Sequence, residues 1–203
     1  MPGCGLPSGN CLHRKLAISH TNLECFPSFL FQGQMVVHNP GDCCPSCAEE
    51  PLKCHLLTNA TIVTFDQLAV PFEGKKVYTL FQDCVNGDFV GYLDANSGQK
   101  SVRFYIHCLS VTLYDNKTVL VDNRAVTLPH EESSIVKIVE VQNRTVQVQT
   151  HHGVVLQLTH DGSFLVSAPK TLSMQMCGLC GNMNGDTSDD LQTRHHIPAK
   201  SVD

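Results

Sequence analysis

Beyond residue 60, apolar and polar residues alternate with a period of two. Val102, Phe104 and Ile106 alternate with Arg103, Tyr105 and His107; Leu109, Val111 and Leu113 with Ser110, Thr112 and Tyr114. Val146 and Val148 alternate with Gln147 and Gln149, and Val154, Leu156 and Leu158 with Val155, Gln157 and Thr159. Successive side chains on a strand point to opposite faces, so each run predicts a strand with one face buried and one wet. Turn-forming residues fall between the runs at Asn86-Gly87, Asn96-Ser97-Gly98, Asp115-Asn116, Asp122-Asn123, His152-Gly153 and Asp161-Gly162. They tolerate positive φ or cap a turn with their own side chains. Strands separated by turns at this spacing predict an all-β fold, a sandwich or a barrel, with an antiparallel β-sandwich the expectation carried forward. No window shows a sustained helical stripe, which excludes a βαβ architecture.

The cysteines divide the chain. Of 11, Cys4, Cys11, Cys25, Cys43, Cys44 and Cys47 crowd the head, and Cys54, Cys84, Cys108, Cys177 and Cys180 are spread over the rest. The head is punctuated by Pro and Gly and is too short for a core of its own, so cross-links must hold it as a small disulfide-stapled N-terminal module. The polar stretch 48–53, Ala-Glu-Glu-Pro-Leu-Lys, reads as the linker. An odd count leaves at least one thiol free or paired with another chain.

So many cysteines without a complete zinc pattern place the chain in an oxidising, extracellular compartment. Sequons at Asn59, Asn116 and Asn143 agree and mark candidate glycosylation sites. The opening Met1-Pro2-Gly3-Cys4 carries neither a charged segment nor an apolar one, so the sequence reads as a fragment or shortened isoform of a secreted chain. Within its 203 residues, 42% are hydrophobic, enough for a core, and only 16% are charged, which argues against disorder. A net charge of −5 without a basic block excludes the footprint of a nucleic-acid binder. No apolar run is long enough to span a bilayer.

Candidate chemistry gathers in Cys177-Gly-Leu-Cys180-Gly-Asn182-Met-Asn184-Gly185-Asp186-Thr-Ser188-Asp189-Asp190. Hard oxygen donors on a flexible, glycine-containing loop suit calcium better than zinc or copper. The EF-hand pattern is absent, and a polar loop of turn-formers fits the composition equally. Cys177-x-x-Cys180 is read as contributing to structural disulfides rather than as a redox pair, because no helix N-terminus is predicted there. His151-His152 and His195-His196 lack the spacing of a helical zinc motif and read as exposed loop histidines. Adjacent carboxylates such as Asp189-Asp190 would point to opposite faces of a strand. With no nucleophile elbow and no phosphate-binding glycine loop, no enzyme is expected.

Cys54, Thr64-Phe65-Asp66, Pro71-Phe72-Glu73-Gly74, Val77-Tyr78-Thr79-Leu80, Cys84 and Cys177-Gly-Leu-Cys180-Gly-Asn182-x-Asn184-Gly185 together resemble a von Willebrand factor type D domain over about residues 52–194. In the head, Pro40-Gly41-Asp42-Cys43-Cys44-Pro45-Ser46-Cys47 resembles the end of a von Willebrand type C module, making residues 1–48 a partial module of that kind and 195–203 a tail. The resemblance implies calcium held by Asp66, Asn182, Asn184, Asp189 and Asp190, with Asp186 contributing at its main-chain carbonyl, and disulfides Cys54–Cys180 and Cys84–Cys177. Two departures are visible. Asn59-Ala60-Thr61-Ile62-Val63 replaces the segment before Thr64-Phe65-Asp66 that undergoes Asp-Pro self-cleavage in some relatives, so that cleavage is not expected, and Lys75-Lys76 stands where members often carry a cysteine.

A type C module before a type D domain resembles crossveinless-2 and kielin/chordin-like proteins. That order implies a secreted, calcium-stabilised, non-catalytic interaction module modulating signalling by BMP-family growth factors. The alternative is an assembly domain of a mucin-, zonadhesin- or tectorin-like matrix glycoprotein. Expected partners are accordingly extracellular proteins, growth factors or matrix glycoproteins, with Cys108 the candidate odd thiol.

Overall fold

The computed structural model describes residues 34–37, 46–96 and 100–191. The chain divides into two compact units, Met1–Glu50 and Pro51–Asp203. In the first, β1 (Gln34–Val37) and β2 (Ser46–Glu49) pair antiparallel. The rest of the predicted type C stretch, with Cys4, Cys11, Cys25, Cys43 and Cys44, lies outside the described residues, as does the 195–203 tail.

The second unit is built from β3 (Leu52–Leu56), β4 (Thr61–Val63), β5 (Ala69–Pro71), β6 (Val77–Asp83), β7 (Phe89–Asp94), β8 (Ser101–Ile106), β9 (Leu109–Tyr114) and β10 (Val119–Val121). There follow β11 (Arg124–Ala125), β12 (His130–Glu132), β13 (Val136–Val141), β14 (Thr145–Thr150), β15 (Val155–Leu158), β16 (Phe164–Ala168) and β17 (Met176–Cys177). They form a seven-stranded sheet, in the order β11-β10-β9-β8-β7-β6-β17, and an eight-stranded sheet, in the order β12-β13-β14-β15-β16-β3-β4-β5. Every pairing is antiparallel, as the alternation and short turns predict.

The inward faces of both sheets meet in one apolar cluster. Phe81, Phe89 and Phe104 from the first sheet stack at centroid separations of 5.4–6.4 Å, and Ile138, Val148, Leu156, Leu158 and Phe164 come from the second. Among the described residues no helix is long and apolar enough to cross a membrane.

Two local expectations are corrected. The linker is shorter than 48–53: Ala48 and Glu49 end β2, Leu52 and Lys53 begin β3, and the two units divide between Glu50 and Pro51. Backbone pairing with β16 recruits Leu52 and Lys53 despite their mixed polarity, because a ladder is satisfied by main-chain groups. On β9, Thr112 sits on the face expected to be wet yet is buried.

Candidate functional site

The signature loop is fixed to both sheets before its acidic side chains come into play. Leu179 and Cys180 donate their N–H groups to the carbonyls of Thr79 and Leu80 on β6, and the carbonyl of Cys180 accepts from Phe65 in the β4–β5 connection. Cys180 is disulfide-bonded to Cys54 of β3, and Cys177 of β17 to Cys84 just beyond β6, with Cα separations of 5.5 and 6.0 Å. Each sulfur of the Cys-x-x-Cys motif is thus joined to a cysteine distant in sequence and neither to the other. The first bridge ties the loop after β17 to β3 of the eight-stranded sheet. The second reinforces strands already paired through Met176–Asp83 and Cys177–Gln82.

The motif's glycines have steric reasons. Gly178 has φ +113°, and a Cβ there would lie 2.9 Å from the carbonyl oxygens of Thr79 and Leu80. Gly181 has φ +83°, and a Cβ there would collide with the carboxylate of Asp190. Only glycine combines these angles with so close an approach.

Around this frame the oxygen-bearing side chains converge. Asp66, in the turn after β4, accepts the backbone N–H of Asn184 at Oδ2 (3.1 Å) and of Gly185 at Oδ1 (3.0 Å), clamping the loop from 118 residues away in sequence. Asn182 Oδ1 accepts from the Asn184 N–H, and the Asn184 amide donates to both oxygens of Asp189, at 3.2 and 2.9 Å. Asp190, only 3% exposed, accepts from Thr64 Oγ1 at 2.6 Å and from the Asn182 N–H at 3.4 Å. Burial pushes the Asp190 carboxyl up; the Thr64 hydrogen bond opposes this and the nearby Asp66 carboxylate reinforces it, for a value of about 6.

Asp186 is placed differently. Its exposed carboxylate caps a 3₁₀ turn, Thr187–Asp189, accepting from the Ser188 N–H at 2.9 Å, and this bond with that of the Ser188 side chain holds its pKa below the usual carboxylate range. Because Asp189 ends that turn, it and Asp190 are not on a strand: Asp189 is half-buried beside Asn184 while Asp190 turns inward. Asn59 is exposed in the β3–β4 turn, Asn116 is exposed between β9 and β10, and Asn143 lies in a 3₁₀ turn, Gln142–Arg144. Cys108, between β8 and β9, is exposed and unpaired.

Thr64 escaped the sequence reading. Its hydroxyl donates to Asp190 and accepts from the Leu68 N–H, and the only signal was its place two residues before Asp66.

Residues 54–197 match the von Willebrand factor type D domain. The chain is 34% identical over 161 residues to pig zonadhesin, 31% over 147 to human IgGFc-binding protein, and 26% over 144 to bovine von Willebrand factor. These alignments cover 72%, 70% and 70% of this chain but only 6%, 3% and 15% of the relatives, so the chain corresponds to a small part of each. A match from the first disulfide cysteine to beyond the acidic loop assigns the chain to its family: it belongs to the von Willebrand factor type D domains.

Proposed function

We propose that this chain is a non-catalytic, calcium-stabilised domain of a secreted extracellular glycoprotein, serving assembly and interaction in matrix proteins of the zonadhesin and mucin kind. One observation carries the calcium reading. Asp66 and the loop residues Asn182, Asn184, Asp189 and Asp190 are drawn together through the Asp66 clamp and the burial of Asp190, giving an all-oxygen donor set with three carboxylates. Such a set suits a hard divalent cation. The capping role of the Asp186 side chain leaves its main-chain carbonyl as that residue's contribution. Bound calcium would neutralise the mutual repulsion of the carboxylates and tie the β4–β5 turn to the last loop, stabilising the folded state because the unfolded chain has no such site.

The similarity to zonadhesin and to human mucin-6, the latter 26% identical over 164 residues, favours the assembly reading. Modulation of BMP-family growth factors is a second reading that rests on module order alone. Its type C stretch falls almost wholly outside the described residues.

The test is a thermal melt of the oxidised protein in calcium and in chelator, repeated for Asp190→Ala. A calcium-dependent rise in midpoint present in the parent and lost in the variant is expected; an equal midpoint in calcium and chelator for the parent overturns the calcium assignment. Sedimentation of the same protein with and without a BMP-family growth factor separates the two partner readings. Self-association supports assembly, and a stoichiometric growth-factor complex without self-association replaces it with signalling.

A further inference from the structure

A second cluster of ligating atoms lies away from the acidic loop, in two turns that belong to different sheets. His107 occupies the turn between β8 and β9, where its φ of +50° places it in the left-handed region. His151 and His152 form the turn between β14 and β15. One ring nitrogen from each of the three imidazoles lies within 4.8 Å of the other two. His107 Nε2 and His151 Nε2 face each other at 3.5 Å, with the rings nearly parallel at 19°. Two nitrogens bound at about 2.0–2.1 Å to one tetrahedral ion stand roughly 3.3 Å apart, close to the separation found here.

The surroundings match the needs of a ligand rather than of three independent surface histidines. His151 Nδ1 stands 3.5 Å from the carbonyl oxygen of Ile135. A carbonyl only accepts, so this contact favours the tautomer with the proton on Nδ1, which leaves the Nε2 lone pair for a ligand. His152 Nε2 is buried and has no hydrogen-bond partner, its nearest charge being Asp88 Oδ2 at 4.0 Å. A buried imidazole nitrogen without a hydrogen-bond partner is available to a ligand. The two turns are also held in place without the side chains: the His107 N–H donates to the Asp88 carbonyl and the His151 N–H to the Ile135 carbonyl.

We propose that His107, His151 and His152 form a site for a borderline divalent first-row metal, zinc in the first instance, with a fourth position open to water. Imidazole nitrogens select such ions over calcium, whereas the acidic loop offers only oxygen, so the two sites take different metals. The neighbouring thiol of Cys108 is outside the ligand set. The ion would join a turn of the seven-stranded sheet to a turn of the eight-stranded sheet, independently of whether the acidic loop binds calcium.

The experiment uses the full chain, oxidised, free of any affinity tag and saturated with calcium, titrated with zinc against a chromophoric chelator near neutral pH. One equivalent of zinc binding at micromolar affinity or tighter is expected. His107→Ala and His151→Ala should each weaken it by about 10-fold or more, the loss expected when a metal's coordination is disrupted. His160→Ala, at an exposed turn elsewhere, and Cys108→Ser should leave it unchanged. As a readout independent of variant folding, the imidazole nitrogen resonances of His107 and His151 should shift on zinc addition to the parent. Zinc binding that persists in the triple His107/His151/His152→Ala variant overturns the site, as does its absence from the parent or shifts confined to other histidines.

Discussion

Thr64 and Asp190, 126 residues apart, are joined by a hydrogen bond of 2.6 Å from the threonine hydroxyl to a carboxylate oxygen, with both side chains out of solvent. The bond connects the segment after β4 to the end of the signature loop, adding a buried side-chain tie to the Cys54–Cys180 bridge and the Asp66 clamp that join the same two regions. With the Asn182 N–H it holds Asp190, which pairs with no basic side chain among the described residues.

Replacing Thr64 with Val keeps the shape and removes the donor. A hydrogen bond to a charged acceptor contributes about 1.5–3 kcal/mol, and the Leu68 N–H loses its acceptor in the same change. Thr64→Val is therefore expected to lower stability by about 2–3 kcal/mol, seen as a lower urea midpoint with an unchanged slope. Thr64→Ser keeps the hydroxyl and should recover most of that loss. Equal destabilisation by the two variants would mean that the methyl, which valine keeps and serine lacks, contributes as much as the hydroxyl; a Thr64→Val variant as stable as the parent would show that the bond to Asp190 is dispensable.

Gly181 lies beneath the same carboxylate. Alanine at its φ of +83° carries a left-handed penalty of about 1–2 kcal/mol, and its Cβ would also displace Asp190. Gly181→Ala is expected to be clearly destabilising, and less so in an Asp190→Ala background, where the obstructing carboxylate is gone. The measurement is a double-mutant cycle by chemical denaturation. Strict additivity would show that Gly181 is required for its backbone angle alone.

How much of this was legible in the sequence varies with the distance a signal must travel. The buried faces of β8, β14 and β15 were read directly from Val102, Phe104 and Ile106 and their counterparts, because strand periodicity is local. Thr112 broke the pattern because its environment depends on what covers β9, which periodicity does not encode. The oxygen donors of the loop were visible as composition, but their partner Asp66 and both disulfide pairings came only through family resemblance, since spacing alone leaves pairings open. The histidine cluster was missed altogether. His107 and His151 are 44 residues apart on turns of different sheets, and only the stacking of those sheets brings them together.

Asp83, at the end of β6, should dominate one part of the acid response. It is buried, and its Oδ1 accepts the N–H groups of Val85 and Asn86 at 3.0 Å each, while Oδ2 lies 3.5 Å from the Asp88 N–H. Burial pushes its carboxyl up, but the bonds from Asn86, Val85 and Asp88 together outweigh burial, so its pKa lies below the usual carboxylate range. A group whose pKa is lower in the folded than in the unfolded chain stabilises the fold above its unfolded value, and that contribution is lost as pH falls through the folded value. Asp83→Asn removes the charge and turns an NH₂ group toward either the Val85 and Asn86 N–H groups or that of Asp88. It is expected to cost about 1–3 kcal/mol near neutral pH, with the gap to the parent narrowing below about pH 4 as the parent's own carboxyl becomes protonated. Urea unfolding of both proteins across that range measures the gap. A difference that stays constant down to strongly acidic pH would place the stabilisation in the shape of the turn rather than in the carboxylate charge.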